Sequence, residues 1–191
     1  MERVYSVLVV SAAENFRTGL TAMLVPPLYG PVCLAGSISE AKRILAEQSF
    51  DLLIINAPLP DEMGTRFAID VTIAGNTVVL LLVRAEMHGE IYQKVCGYGV
   101  FTLPKPVPRS MLSQALAWMI SVRERLRRSE KKTLSLEEKM EEIRLVNRAK
   151  WLLITELKMT EPDAHRYMEK QAMDACVSKR EIARKIIQNY S

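Results

Sequence analysis

The side chains with the most chemical promise are cations in the later part of the chain. From Arg123 onward 17 lysines and arginines stand against 12 acidic residues, whereas the first 122 residues carry 9 against 10. A basic segment joined to a nearly neutral one points to a polyanionic partner such as nucleic acid, with a solvated helix surface as the bland alternative. Catalysis has little to work with. His88 and His165 are far apart, and neither a Ser/His/Asp set, a metal-spaced cluster nor a glycine-rich phosphate loop appears. Cys33, Cys96 and Cys176 lack CxxC or CxxH spacing and read as buried or half-buried thiols of a reducing cytoplasm. The expectation is a protein that is not an enzyme and needs no metal or cofactor.

The elements that position these cations follow from periodicity. In the last third of the chain, Ile143, Val146, Ala149, Leu153 and Leu157 form a helical stripe, with Arg144, Arg148 and Lys150 largely off it. Thr160, with Pro162 and acidic residues just after it, starts a second helix, where Ala164, Met168 and Ala172 allow close packing. Ser178 caps a third, with Glu181 three residues on and Ile182, Ala183 and Ile186 inward.

Residues 1–107 alternate strand and helix signals. Val4–Val10, Val32–Ala35, Leu52–Ile55, Val78–Val83 and Val100–Leu103 are apolar runs, continuous in the central cases as expected of strands covered on both faces. Five strands, each followed by a helix, predict an α/β domain with a doubly wound five-stranded parallel sheet. Such a sheet places a site at the carboxyl ends of its strands. These runs are far shorter than the ~20 residues of a membrane span. The first ten residues lack the pattern of a secretory signal, so a cytoplasmic protein without membrane association is expected.

From Pro108 no glycine or proline interrupts the chain until Pro162. Spacings of 3 and 4 pick out Leu112, Ala115, Met119, Val122, Leu126, Ser129, Thr133, Leu136, Met140 and Ile143, a coiled-coil seam weakened in its middle. A parallel homodimer is favoured over a helix folding back on its own domains. Leu126 and Leu136 are expected to lie beyond the first domain's reach. The domain organisation is therefore 1–107 for the α/β domain, 108–135 for the linker helix and 136–191 for a three-helix module.

The terminal module resembles the ANTAR domain of bacterial transcription antiterminators. The resemblance rests on the Arg148-Ala149-Lys150 triplet, the Thr160 cap, the Ala172-Met173-Asp174 triplet and a final Ile-Ala step. A glycine commonly follows the lysine in that family; here it is Trp151, which either fills a packing gap or offers a stacking surface. The resemblance implies binding of paired RNA hairpins with short loops, which are thereby held against an overlapping terminator. Arg144, Arg148, Lys150, Lys170, Lys179 and Arg180 are the candidate phosphate and loop contacts, and Tyr167 the candidate stacking ring. A dimer would engage two hairpins at once.

The first domain resembles a response-regulator receiver, through DLLIINAPLPDEMG (Asp51–Gly64) and GVFTLPKPV (Gly99–Val107). In that family a strand-3 aspartate accepts phosphate, an acidic pair after strand 1 holds Mg²⁺, and a strand-4 hydroxyl and strand-5 lysine contact the phosphorylated form. Here the acceptor position is Asn56 and the acidic pair maps to Ser11 and Ala12, with Glu14 nearby. The hydroxyl maps to Val83, or to Leu82 in a shifted register. Lys105 remains, followed by Pro106, whose preceding bond is often cis in the family. The resemblance thus implies a pseudo-receiver that is not phosphorylated. Lys105 is expected to serve structure, reaching the Asn56 amide oxygen or a backbone carbonyl. A partner protein, a ligand or dimerisation would then be the control. The alternatives are a DNA-binding response regulator with a helix-turn-helix output, and a protein-interaction adaptor.

Overall fold

The computed structural model describes residues 3–190; the outermost residues of the expected end domains, 1, 2 and 191, lie outside that range. The chain divides between Arg128 and Ser129 into two units. In the first, β1 (Tyr5–Val10), β2 (Tyr29–Ala35), β3 (Leu52–Asn56), β4 (Val78–Arg84) and β5 (Phe101–Lys105) alternate with α1 (Glu14–Thr21), α2 (Ile38–Glu47), α3 (Thr65–Ala74) and α4 (Ala85–Val95). The sheet is fully parallel, in the order β2-β1-β3-β4-β5. α5 (Arg109–Leu157) follows, then α6 (Glu161–Asp174) and α7 (Lys179–Tyr190).

The continuous apolar strands have a simple cause. Successive side chains point to opposite faces of a sheet, and both faces here are covered. Leu8, Val10, Leu53, Ile55, Val79 and Leu81 pack with Ile38, Phe67 and Ile91 of α2, α3 and α4. Val7, Val9, Leu52, Ile54, Leu80 and Leu82 pack with Leu20 of α1 and with Leu112, Leu116 and Met119 of α5.

Local chemistry fixes the loops at the carboxyl end of the sheet. Ser37 caps α2 by accepting from Glu40 N, and the Glu40 carboxylate accepts from Gly36 N at 2.7 Å. Asp61, from the β3–α3 loop, accepts from Ile38 N at 3.1 Å and Ser39 N at 2.9 Å. Those backbone hydrogen bonds hold its carboxyl down to about 2. Gly64 has φ 77°, and a Cβ there would lie 3.0 Å from Ile55 Cγ2, so this turn requires glycine.

The expected coiled-coil seam is corrected over its first half. Leu112, Ala115 and Met119 are buried in the first unit's own core, and Val122 and Leu126 pack against it, so Leu126 is within the domain's reach. Next to Val122 and Leu126 on the same helix, Arg123 Nε and Arg127 Nη2 each donate to Asp51 Oδ1 at 2.8 Å. Asp51 Oδ2 accepts from Ser6 N at 3.1 Å. Glu124 accepts from Tyr5 Oη at 3.1 Å and pairs with Arg3 and Arg127, whose guanidinium lies 5.6 Å from the Tyr5 ring centroid. α5 is therefore latched to the amino-terminal end of the strands.

The second unit buries Ala149 and Leu153 of α5 against Ala164 and Met168 of α6 and Ile182, Ala183 and Ile186 of α7. Thr160 caps α6 through Asp163 N. Cys176 ends α6 in the left-handed region, φ 51°, with its own amide bonded to Met173 O and Val177 N to Ala172 O at 3.0 Å, a Schellman turn without glycine. Two members of the expected buried stripe are corrected: Ile143 and Leu157 are exposed, because the partner helices cover only the Ala149–Leu153 side.

Candidate functional site

At the carboxyl ends of β1, β3 and β5, three side chains close on one another. Asn56 Nδ2 donates to Ser11 Oγ at 3.0 Å, and Lys105 Nζ donates to Asn56 Oδ1 at 3.0 Å. Lys105 also donates to Ala57 O, and Ser11 Oγ accepts from Ala13 N at 3.2 Å. Ser11 and Asn56 are buried, and both ends of the amide are satisfied. Burial, with the nearby Arg84 charge, pushes the Lys105 ammonium below the ordinary lysine value. The Lys105–Pro106 bond is cis.

The side chains at these strand ends differ from those that handle a phosphoryl group in the resembled family. An amide offers no carboxylate oxygen, and Val83 is buried in the core without a hydroxyl. A divalent cation does not fit. Ser11 Oγ is engaged, the exposed Ala12 has only a methyl, and the amide oxygen faces an ammonium. Among the described residues, no group of three or more His, Cys, Asp or Glu could hold a metal.

The cationic candidates of the second unit fall into two groups. Lys150 is bound to Glu161 at 2.9 Å and Lys179 to Glu169 at 2.6 Å, while His165 approaches Glu169 at 3.2 Å. The hydrogen bond from Lys150 holds the Glu161 carboxyl below the usual range, and that from Lys179 does the same for Glu169. Arg180 is half-buried with an unbonded Nε. Arg144, Arg148 and Lys170, by contrast, are exposed and have no ion-pair partner among the described residues. Arg166, Arg184 and Lys185 share that condition and were missed by the sequence reading; their signal is a position off the Met168 and Ile182–Ile186 stripes.

Aromatic exposure adds to the pattern. Trp151 is 67% exposed, against 38% for Tyr167. Arg144, Arg148, Trp151 and Thr155 stand at i, i+4, i+7 and i+11 on the side of α5 opposite Leu153, so two unpaired guanidiniums and an indole share one stripe. Beside it run Leu136, Met140 and Ile143, each more than half exposed.

The two units define a class. A receiver-type parallel sheet precedes a three-helix module, and residues 134–187 match the family model of the ANTAR domain. An ANTAR domain therefore occupies residues 134–187, and the residues before it have the receiver fold. It is 27% identical over 183 residues to the transcriptional regulatory protein PdtaR of Mycobacterium tuberculosis, covering 95% of this chain and 89% of that one. Among solved structures, it resembles the receiver domain of an HD-domain protein from Pseudomonas fluorescens, with TM-score 0.59 and 24% identity over 67% of this chain and 95% of the other. It also resembles the chemotaxis response regulator CheY4 of Vibrio cholerae, with TM-score 0.53 and 24% identity over 61% of this chain and 99% of the other. No helix among the described residues is long and apolar enough to cross a membrane.

Proposed function

We propose that this chain is a cytoplasmic transcription antiterminator that binds paired RNA hairpins as a homodimer, without being switched by phosphorylation. The observation that carries the reading is the ANTAR match over residues 134–187, joined to the stripe of Arg144, Arg148 and Trp151. The guanidiniums neutralise phosphates, and the indole gives a splayed loop base a face to stack on. Tyr167 and Lys170 extend the contact from α6. Lys150 and Lys179 engage RNA only by exchanging their glutamate partners for phosphate.

Dimerisation rests on Leu136, Met140 and Ile143, whose 4-and-3 spacing and exposure suit a seam shared by two copies. Two linked modules then bind two hairpins, the second contact favoured by effective concentration. The silent receiver site is the reason to look beyond phosphate for control, and a regulatory partner protein masking the seam is one such route. The test is a titration of the full chain with a two-hairpin RNA and with a DNA duplex of equal length. Tighter, salt-sensitive RNA binding is expected, and equal affinity for both would sink the reading.

A further inference from the structure

Beside the Asn56–Lys105 pair, a cavity of about 320 Å³ opens between α1, the turn after β5 and the first turn of α5. That volume lies at the lower end of the range used by small-molecule sites. Phe16, Leu20, Met23 and Leu112 give it apolar walls, and Lys105 and Arg109 are its two cations. No carboxylate lines it.

Two features mark it as more than a packing fault. Gly19 lies inside α1 with no positive φ, and a Cβ added there meets nothing within 4 Å. A mid-helix glycine costs roughly 0.5–1 kcal/mol relative to alanine, and here neither backbone geometry nor close packing requires it. It leaves open space on the cavity wall. The second feature is unused donor capacity. The Lys105 ammonium has three N–H groups, of which two reach Asn56 Oδ1 and Ala57 O, and the third has no partner among the described residues. Arg109 is exposed and likewise has no ion-pair partner there.

We propose that this cavity binds an amphipathic monoanion, a medium-chain carboxylic acid in chemical class. Its hydrocarbon chain lies against Phe16, Leu20, Met23 and Leu112, and its carboxylate meets Lys105 and Arg109. The ligand would bridge α1 and the start of α5, so its binding bears on the helix that leaves the domain. The site stands independently of any RNA contact.

The test uses the full chain with sodium octanoate as probe and 1-octanol as the uncharged control, read by thermal unfolding and calorimetry. Octanoate is expected to raise Tm saturably, since a ligand bound only by the folded state stabilises it by mass action. Octanol at the same concentration should give less than a fifth of that shift. Gly19→Leu, which fills the cavity, should fold with an unchanged circular dichroism spectrum and lose the octanoate response. Arg109→Gln, on the exposed rim, should weaken octanoate at least fivefold. The proposal is overturned if wild type shows no saturable shift, if octanol matches octanoate, or if both variants respond as wild type does.

Discussion

Lys105 Nζ and Asn56 Oδ1 lie 3.0 Å apart, so the residues at the carboxyl ends of β5 and β3 satisfy each other directly. In a receiver with an aspartate, that ammonium would face a carboxylate that changes charge on modification. Here its partner is a neutral amide, whose other end is tied to Ser11. Incubation with acetyl phosphate and Mg²⁺ should therefore leave the intact mass unchanged. Asn56→Asp should also stay unmodified, because Ser11 and Ala12 supply no metal-binding carboxylates. A phosphoryl-sized gain in the variant would show that Glu14, or another group, can replace them.

The latch between Asp51 and the α5 arginines gives a prediction in pH. Burial alone would raise the Asp51 pKa, but hydrogen bonds from Arg123 and Ser6 N, with the charges of both arginines, hold its carboxyl below the ordinary value. The folded-state pKa thus lies below the unfolded value of about 3.9. Stabilisation from the latch is fully present above that unfolded value and is lost as pH falls through the folded pKa. Asp51→Asn should cost about 2 kcal/mol near neutrality, the scale of hydrogen bonds to charged groups. Urea unfolding at pH 7 and pH 3 should show the gap between wild type and variant narrowing in acid. A constant gap would mean that Asp51 acts through packing alone.

Much of this architecture was legible in the sequence, and the exceptions share a cause. The central strands were plain because a doubly covered sheet demands unbroken apolar runs such as Val78–Val83. The caps at Thr160 and Ser178 are local signals and sit where the sequence placed them. The seam misled because helical burial and helical dimerisation use the same spacings. Leu112 and Met119 carry no mark that their partner is the chain's own sheet rather than a second copy. The availability of cations was equally hidden. Lys150 and Lys179 meet glutamates on a neighbouring helix, and no short-range pattern records that pairing. Part of the basic count likewise serves the fold, since Arg123 and Arg127 belong to the Asp51 latch.

The corrected seam can be tested by separating its halves. Met119→Glu places a charge in the first unit's core and should unfold it, whatever the oligomeric state. Met140→Glu changes a residue that is 54% exposed and should leave thermal stability of the first unit unchanged. If Leu136, Met140 and Ile143 form the dimer contact, sedimentation of Met140→Glu should report a monomer at concentrations where wild type is a dimer. Unchanged sedimentation would remove these residues from the interface.

Cys176 offers a test of local strain in the second unit. A non-glycine residue in the left-handed region costs roughly 1–2 kcal/mol, and its thiol is exposed, donating only to Met173 O at 3.7 Å. Cys176→Gly relieves the backbone but loosens the unfolded chain, so a net gain of about 0.5–1 kcal/mol is expected. Thr160→Ala should go the other way by about 1 kcal/mol, through loss of the α6 cap. Both are read from the helical signal during thermal unfolding. A destabilised Cys176→Gly would mean that its side-chain contacts outweigh the backbone strain.

The sharpest division within the candidate RNA surface is between Arg148, which is unpaired, and Lys150, which is bound to Glu161. Neutralising a phosphate releases counterions, so Arg148→Ala should weaken RNA binding and reduce the salt slope by about 1. Lys150→Ala frees Glu161 and removes a contact between α5 and α6, so it should lower stability while changing the salt slope less. Trp151→Ala should leave the slope alone, because stacking involves no ion release, yet cost about 1–3 kcal/mol of affinity. In a Trp118→Phe background, Trp151 fluorescence should be quenched by a hairpin whose loop bases are free and much less by a fully paired stem. Equal quenching by both RNAs would place the indole on the backbone or away from the RNA, and leave the two arginines as the contact.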